Sequence, residues 1–475
     1  MHYAGLKTDN DDGRSLLKTM SRRAGTIVFY TLLILIPLTA IPYGTVDPLW
    51  ESLFECVVFA LAIISILEVA VDGKIDSYSV WLILPLLLLV AYAFIQTLPL
   101  GGGNQSPAGT EMWYAISADP FQTRRWAIKM LALILAGAML LRYVTNEGRL
   151  RLLVYAILLT GTASALFGIF RQSTQRTEGF LFLSALRPEF GYAQFINKNH
   201  FAFLAEMALG LTLGALISRE VRRERKLIYL TVSLPLWAAL IFSGSRGGIF
   251  SLLGQILFLV MMWTIAGRAA WRAGAHRSQL DRLKGAWPLR LLLLCALLAF
   301  ILIGTIWMGG DPLISKLESV PGEISQTETS GLGTSRREIW RSTWMLIKEH
   351  PMTGVGFGGY WTAIPQYHMA SGEATPQEAH NDYLELLASG GLIALLPVVW
   401  FLIIFLRRAG KVWKTSAGYR RAAQLGALTA IFGVALHSMV DFGLHITSNA
   451  LIFTAVLVIA STEMRTQGDG RELDS

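Results

Sequence analysis

Residues 291–308 read LLLLCALLAFILIGTIWM, without a single charge, and the stretch 309–382 that follows stays polar up to Ala379-His380-Asn381-Asp382-Tyr383. At 1.5 Å per residue the apolar run reaches about 27 Å, close to the roughly 30 Å hydrocarbon core of a bilayer. Backbone groups cannot be left unpaired in lipid, so a run of this kind is a helix. The polar stretch is then an excursion out of the membrane, and function tends to sit on such loops.

The same apolar signature recurs along the chain. Hydropathy predicts about twelve spans, at 25–42, 52–71, 78–97, 125–141, 151–170, 199–217, 227–243, 247–267, 291–308, 383–406, 423–439 and 447–462. The 475 residues are 53% hydrophobic and 16% charged, with mean hydropathy +0.47. A soluble protein would carry nearer a quarter charged residues. The expected fold is an all-α polytopic integral membrane protein. Its parts are a tail over 1–24, nine spans over 25–308, the loop over 309–382 with short amphipathic helices, three spans over 383–462, and a tail over 463–475. Lys18, Arg22 and Arg23 precede the first apolar stretch, and no small-residue cleavage site follows it, the pattern of an uncleaved anchor. Cys56 and Cys295 each fall inside an apolar run. That argues against a disulfide framework and predicts plain packing.

Charge sets the orientation. With the N-terminus inside, the cytoplasmic tails and loops hold 28 of the 41 lysines and arginines, as the positive-inside rule requires. The net charge of +8 therefore reflects topology, not a nucleic-acid partner. Arg222, Arg223, Arg225 and Lys226 read as an inner face against anionic membrane lipids. Both termini are expected in the cytoplasm, with the long loop outside it.

Six of the eight histidines gather at the outer face: His200, His350, His368, His380, His437 and His445. His437, Asp441 and His445 come nearest to ligand spacing, but their steps of four need one continuous helix, and Gly443 interrupts it. No metal and no cofactor are expected. Three further outer segments carry polar groups. In Asn197-Lys198-Asn199-His200, Asn199 is placed to cap a helix, while Lys198 and His200 are placed to contact an anionic group at its N-terminus. In Ser243-Gly244-Ser245-Arg246-Gly247-Gly248, Arg246 either snorkels or binds phosphate oxygens with its fork, the flanking glycines allowing close backbone approach. In His437-Ser438-Met439-Val440-Asp441, His437 and Asp441 pair structurally or act in catalysis. Gly354–Gly359 imitates a nucleotide loop, but without the preceding strand and the acidic partner it is expected to be a turn.

Asn197–Ala202, Ser243–Gly248, Arg336–Tyr360 and His380–Ala394 together resemble the O-antigen ligase and O-antigen polymerase superfamily of bacterial envelope enzymes. Ser335-Arg336-Arg337-Glu338-Ile339-Trp340, then His350-Pro351 and Gly354-Val355-Gly356, is similar to the family pattern leading to its catalytic histidine. His380, Asn381 and Gly391 fit the ligase signature, whereas Ala394 stands where it has glycine, threonine or tyrosine. Ligase and polymerase therefore both stay open.

The resemblance implies a metal-independent, inverting glycosyltransferase on the periplasmic face of the inner membrane. Its donor would be a glycan on undecaprenyl pyrophosphate, and its acceptor another glycan, lipid A–core or a protein. Cations aimed at the departing pyrophosphate stabilise its charge. Arg246 suits that role with one of Arg336, Arg337 and Arg341, Arg336 first because it stands four residues before Trp340. A neutral imidazole can take the acceptor proton, worth about 10²–10⁴-fold; His380 is the expected base and Asn381 its neighbour. Lys198, Asn199, His200, Ser245, Trp340, His437 and Asp441 are accessory candidates. A lipid-linked glycan transporter is the main rival, with Glu55, Lys129 and Glu206 as its ionisable residues within spans. A non-catalytic assembly factor would not need this arginine and histidine set.

Overall fold

The computed structural model describes residues 5–72, 77–100, 104–105, 112–113, 115–188, 190–272, 295, 336–367 and 376–464. Eight helices lead: α1 (Gly5–Ala40), α2 (Pro48–Asp72), α3 (Ser77–Gln96), α4 (Pro120–Tyr143), α5 (Glu147–Thr174), α6 (Lys198–Ile217), α7 (Arg223–Phe242) and α8 (Arg246–Arg272). Then come α9 (Arg336–Glu349), the single turn α10 (Tyr360–Ala363), α11 (Asp382–Thr415), α12 (Gly418–His437) and α13 (Thr447–Ser461). Asn104–Gln105 pairs antiparallel with Met112–Trp113. Eleven of the expected spans coincide with helices, α1–α8 and α11–α13. The span 291–308, Cys295 apart, lies outside the described residues, as do 309–335 and 368–375 of the long loop.

Seven of these helices are long and apolar enough to cross a membrane, and Val80–Gln96, Arg246–Met262 and Thr447–Ser461 are shorter apolar ones. Asp and Asn start them: Asp119 accepts from the Gln122 N–H, Asn146 from Arg149, and Asn381 from Tyr383 and Leu384. Each satisfies donors that the first turn leaves orphaned. Outward-facing residues such as Leu67, Leu159, Leu227 and Leu396 are apolar and exposed, as a lipid-facing shell should be. Cys56 belongs to that shell: both cysteines are free and exposed, not packed in the core.

The centre of the bundle is α6, most of whose residues are buried. It packs against α12 through small residues one turn apart. A Cβ on Gly214 would lie 2.3 Å from the Gly426 Cα, and one on Gly210 2.6 Å from the Ala430 Cα. Such stripes let two backbones approach where lipid supplies no hydrophobic drive between helices.

The expected straight span at 383–406 is broken. Gly391 lies at φ 62°, ψ −166° inside α11, a conformation essentially restricted to glycine. The freed backbone bonds to the stretch after α9: Leu392 N–H to Pro351 O (2.9 Å), Ile393 N–H to Met352 O (3.1 Å), and Gly356 N–H to Ser389 O (2.9 Å). The Gly354–Gly359 segment is the expected turn. Gln96 Nε2 donates to Thr353 O (2.8 Å) and Trp126 stacks on Phe357 at 4.0 Å, so α3 and α4 clamp it against α11.

Candidate active site

Asp441 is the centre of the polar cluster. It sits in the turn between α12 and α13, fully buried. Its Oδ2 accepts from Asn199 Nδ2 and lies 3.4 Å from Arg336 Nη2. Its Oδ1 accepts from the Phe442 N–H (2.9 Å) and faces His380 Nδ1 at 3.6 Å. Burial pushes the Asp441 carboxyl up, but the His380 ring, the Arg336 charge, the Phe442 N–H and His437 outweigh it and hold its pKa at about 2. Asp441 is thus an anion at neutral pH.

Each partner arrives on its own element. Asn197, not Asn199, caps α6 by accepting from the Asn199 N–H (2.9 Å). The Asn199 side chain is thereby available to Asp441 and also accepts from Ser245 Oγ (2.8 Å). Ser245 caps α8 through Gly248 N–H (3.2 Å), so half-buried Arg246 opens that helix directly beside the cluster. Arg336 opens α9, its side chain 44% exposed, which leaves part of the guanidinium facing outward.

His380 stands at φ +48°, uncommon for a residue with a Cβ. Its neighbours on both sides enforce the position. Trp340 Nε1 donates to Ala379 O (3.1 Å), and the Ala379 N–H donates to Glu385 Oε2 (3.0 Å). On the other side Asn381 Nδ2 donates to Met439 O (2.8 Å) and the Asp382 N–H to Ser438 O (3.0 Å). The imidazole packs edge-on against Phe442 at 4.8 Å, and His200 meets that ring at 5.2 Å.

The remaining expected residues separate. Arg341 is exposed on α9 and is not among the residues that meet Asp441; the side chain of Arg337 lies outside the described residues. Lys198 lines a cavity beyond the α6 N-terminus. His437 does not bond Asp441 through its side chain. Its Nδ1 lies 2.9 Å from Glu206 Oε2, both residues fully buried, with Phe203 stacked on the ring at 4.1 Å. Glu206 and Lys129, unpaired along the sequence, are thus paired in space, Lys129 Nζ lying 2.8 Å from Glu51 Oε1.

A second cluster escaped the sequence. His445 Nδ1 lies 3.3 Å from Glu378 Oε2, and its Nε2 3.6 Å from Glu385 Oε1 and 3.7 Å from Asp382 Oδ1. Helix α12 does end at His437, and Gly443–His445 is a separate 3₁₀ turn, so the spacing of four ligates nothing. Instead Glu378, Glu385 and His445 bring ligand atoms within 4.8 Å of one another, a set able to hold a metal ion. Burial disfavours charge on His445, but Glu385, Glu378 and Asp382 raise it to about 10. At neutral pH the imidazolium itself balances the carboxylates, and in that form it has no lone pair for a metal. The visible signal was three acids, Glu378, Asp382 and Glu385, bracketing His380.

A many-helix apolar bundle with an arginine, histidine and carboxylate cluster at the meeting of its helix ends defines an integral membrane protein with an enzyme-like site. Residues 231–399 match the family model described as O-antigen ligase. That segment, from α7 through the break in α11, is similar to the O-antigen ligase domain, and it contains Arg246, Arg336 and His380. No curated protein compared with the chain matches it.

Proposed function

We propose that the protein transfers a glycan from undecaprenyl pyrophosphate to an acceptor hydroxyl at the periplasmic face of the inner membrane. The observation that carries this is the convergence of His380, Arg336 and Asn199 on Asp441, with Arg246 adjoining through Ser245. The acceptor oxygen attacks the anomeric carbon while His380 takes its proton. The bond from that carbon to the pyrophosphate oxygen breaks, and undecaprenyl pyrophosphate leaves with the electron pair. Single displacement inverts the anomeric centre. Arg336 and Arg246 meet the developing negative charge, aided by the N-termini of α6, α8 and α11, which favour anions. Asp441 orients His380 from its Nδ1 side and keeps the opposite nitrogen toward the acceptor.

The similarity to O-antigen ligases supports glycan transfer of this class, and transfer onto lipid A–core and joining of lipid-linked repeats use the same chemistry. Transport is less well supported, because Glu206 and Lys129 are each paired with a partner in space. In vesicles with lipid-linked glycan and lipid A–core, wild type should form product while His380→Ala and Arg246→Ala insert normally and form none. Robust transfer by both variants would sink the assignment.

A further inference from the structure

Beyond the α6 N-terminus lies a cavity of about 690 Å³, within the size range of small-molecule sites. It is bounded by the end of α5, Pro188, residues 190–198 and the end of α7, with Gln172, Phe190, Tyr192, Asn197, Lys198 and Ser243 among its lining residues. The transfer chemistry described above does not use it.

Its walls are prefolded. The Arg171 guanidinium donates to Gln175 Oε1 (2.5 Å), Ala193 O (2.7 Å), Arg187 O (2.6 Å) and Phe190 O (2.9 Å). Gln175 Nε2 donates to Leu186 O (2.9 Å). One buried arginine thereby fastens the loop, with four of its five N–H donors on protein oxygens. Tyr192 is 96% buried, its ring packed on Gly168 and 4.7 Å from Phe201, yet its hydroxyl has no hydrogen-bond partner among the described residues. A buried hydroxyl left unpaired is costly, and this one belongs to a cavity wall. Phe190 and Gln172 are both exposed.

The cavity adjoins the transfer centre along two short routes. Asn197 accepts from the backbone of Asn199, and Ser243 Oγ accepts from the Ser245 N–H (3.3 Å); Asn199 and Ser245 are the pair that reaches Asp441. A ligand here needs hydroxyls for the amide and phenol groups and an apolar face for the aromatic ring. Sugar rings offer both.

We propose that this cavity is a saccharide subsite, holding the sugar chain of one substrate beside the reacting centre. The inference rests on the transferase function above, and the shared chemistry admits either glycan. Tyr192→Phe removes one oxygen and keeps the packing on Gly168; Gln172→Ala changes an exposed rim residue. Each should raise the KM for one glycan substrate about tenfold, with kcat unchanged and thermal stability not lowered. A raised KM for lipid A–core assigns the acceptor, and a raised KM for undecaprenyl-pyrophosphate-linked repeat assigns the donor. Unchanged KM for both substrates in both variants overturns the subsite while leaving the transferase intact. If wild type transfers nothing, the function fails separately, and the subsite is read by binding of fluorescent core oligosaccharide and of fluorescent repeat-unit oligosaccharide in nanodiscs. About tenfold weaker binding of one probe by Tyr192→Phe supports it; equal affinities, or binding of neither probe, overturn it.

Discussion

Asp441 connects residues that the chain keeps far apart: Asn199, Arg336 and His380 reach it from three different elements. Replacing it with asparagine keeps the volume and removes the charge that Arg336 and His380 face. Transfer by Asp441→Asn should fall by about 10²-fold or more, the scale of a lost acid–base arrangement, measured at saturating donor in vesicles. Its folded pKa is depressed to about 2, so its ionised form stabilises the fold above about pH 3.8 and that contribution is lost as pH falls toward 2. The melting gap between wild type and Asp441→Asn should therefore be full at pH 7 and narrow below pH 4. His445 has the opposite sign. Its folded pKa, raised to about 10, gives stability fully present below about 6.5 and lost as pH rises through 10. His445→Gln should melt lower than wild type at pH 6 and converge with it by pH 10; a gap that widens with pH would refute the imidazolium. Sequence flagged Asp441 as accessory, beside His437, and His445 as an interfacial histidine, and grouped both with His437 in a spacing of four. Neither Asn199–Asp441 nor Glu378–His445 follows a helical or strand period, so only helix packing brings them together.

At the scale of elements, lipid makes spans legible, because a long uncharged run has few alternatives to a helix. The break in α11 was hidden for the same reason: Gly391 sits in an apolar run where a glycine usually packs. Only its positive φ and the backbone bonds from 351–356 reveal a joint. That joint bears on the candidate site, since the short segment before it, Asp382–Gly390, begins two residues after His380, and Gly354–Gly359 wedges against it. Gly391→Ala would place a Cβ 2.3 Å from Met352 O in a conformation reserved for glycine. It should cost about 1–3 kcal/mol in stability and slow transfer by shifting the backbone that supports His380. A melting curve in detergent with parallel kinetics checks this, and wild-type stability would refute the joint. The capping of α6 gives the complementary lesson: Asn197 and Asn199 both suit an N-cap by residue type, and the choice of Asn197 is what turns Asn199 inward.

Over the whole molecule, the helix packing sorts charge to opposite ends without reference to any membrane. One end holds the Asp441 and His445 clusters. At the other, Arg151 stacks over Tyr419 at 4.7 Å, Glu220 accepts from the Gly418 N–H (3.3 Å), Arg420 Nη2 donates to Thr462 O (2.8 Å), and Lys226 donates to Leu216 O (2.7 Å). Loops at this second end are those that the sequence marks as basic, so charge bias and three-dimensional packing agree on which loops share a side. The positive-inside rule predicts the basic end in the cytoplasm and the Asp441 end outward. Leu181 is 71% exposed in the loop after α5, and Glu224 lies in the basic loop region at the start of α7. With Cys56 and Cys295 replaced by serine, Leu181→Cys should react with an impermeant maleimide in cells whose outer membrane alone is opened. Glu224→Cys should react only after the inner membrane is broken as well. The reverse pattern would place His380 in the cytoplasm, out of reach of a periplasmic acceptor, and would reject the transfer reaction as located here even if the ligase domain is sound.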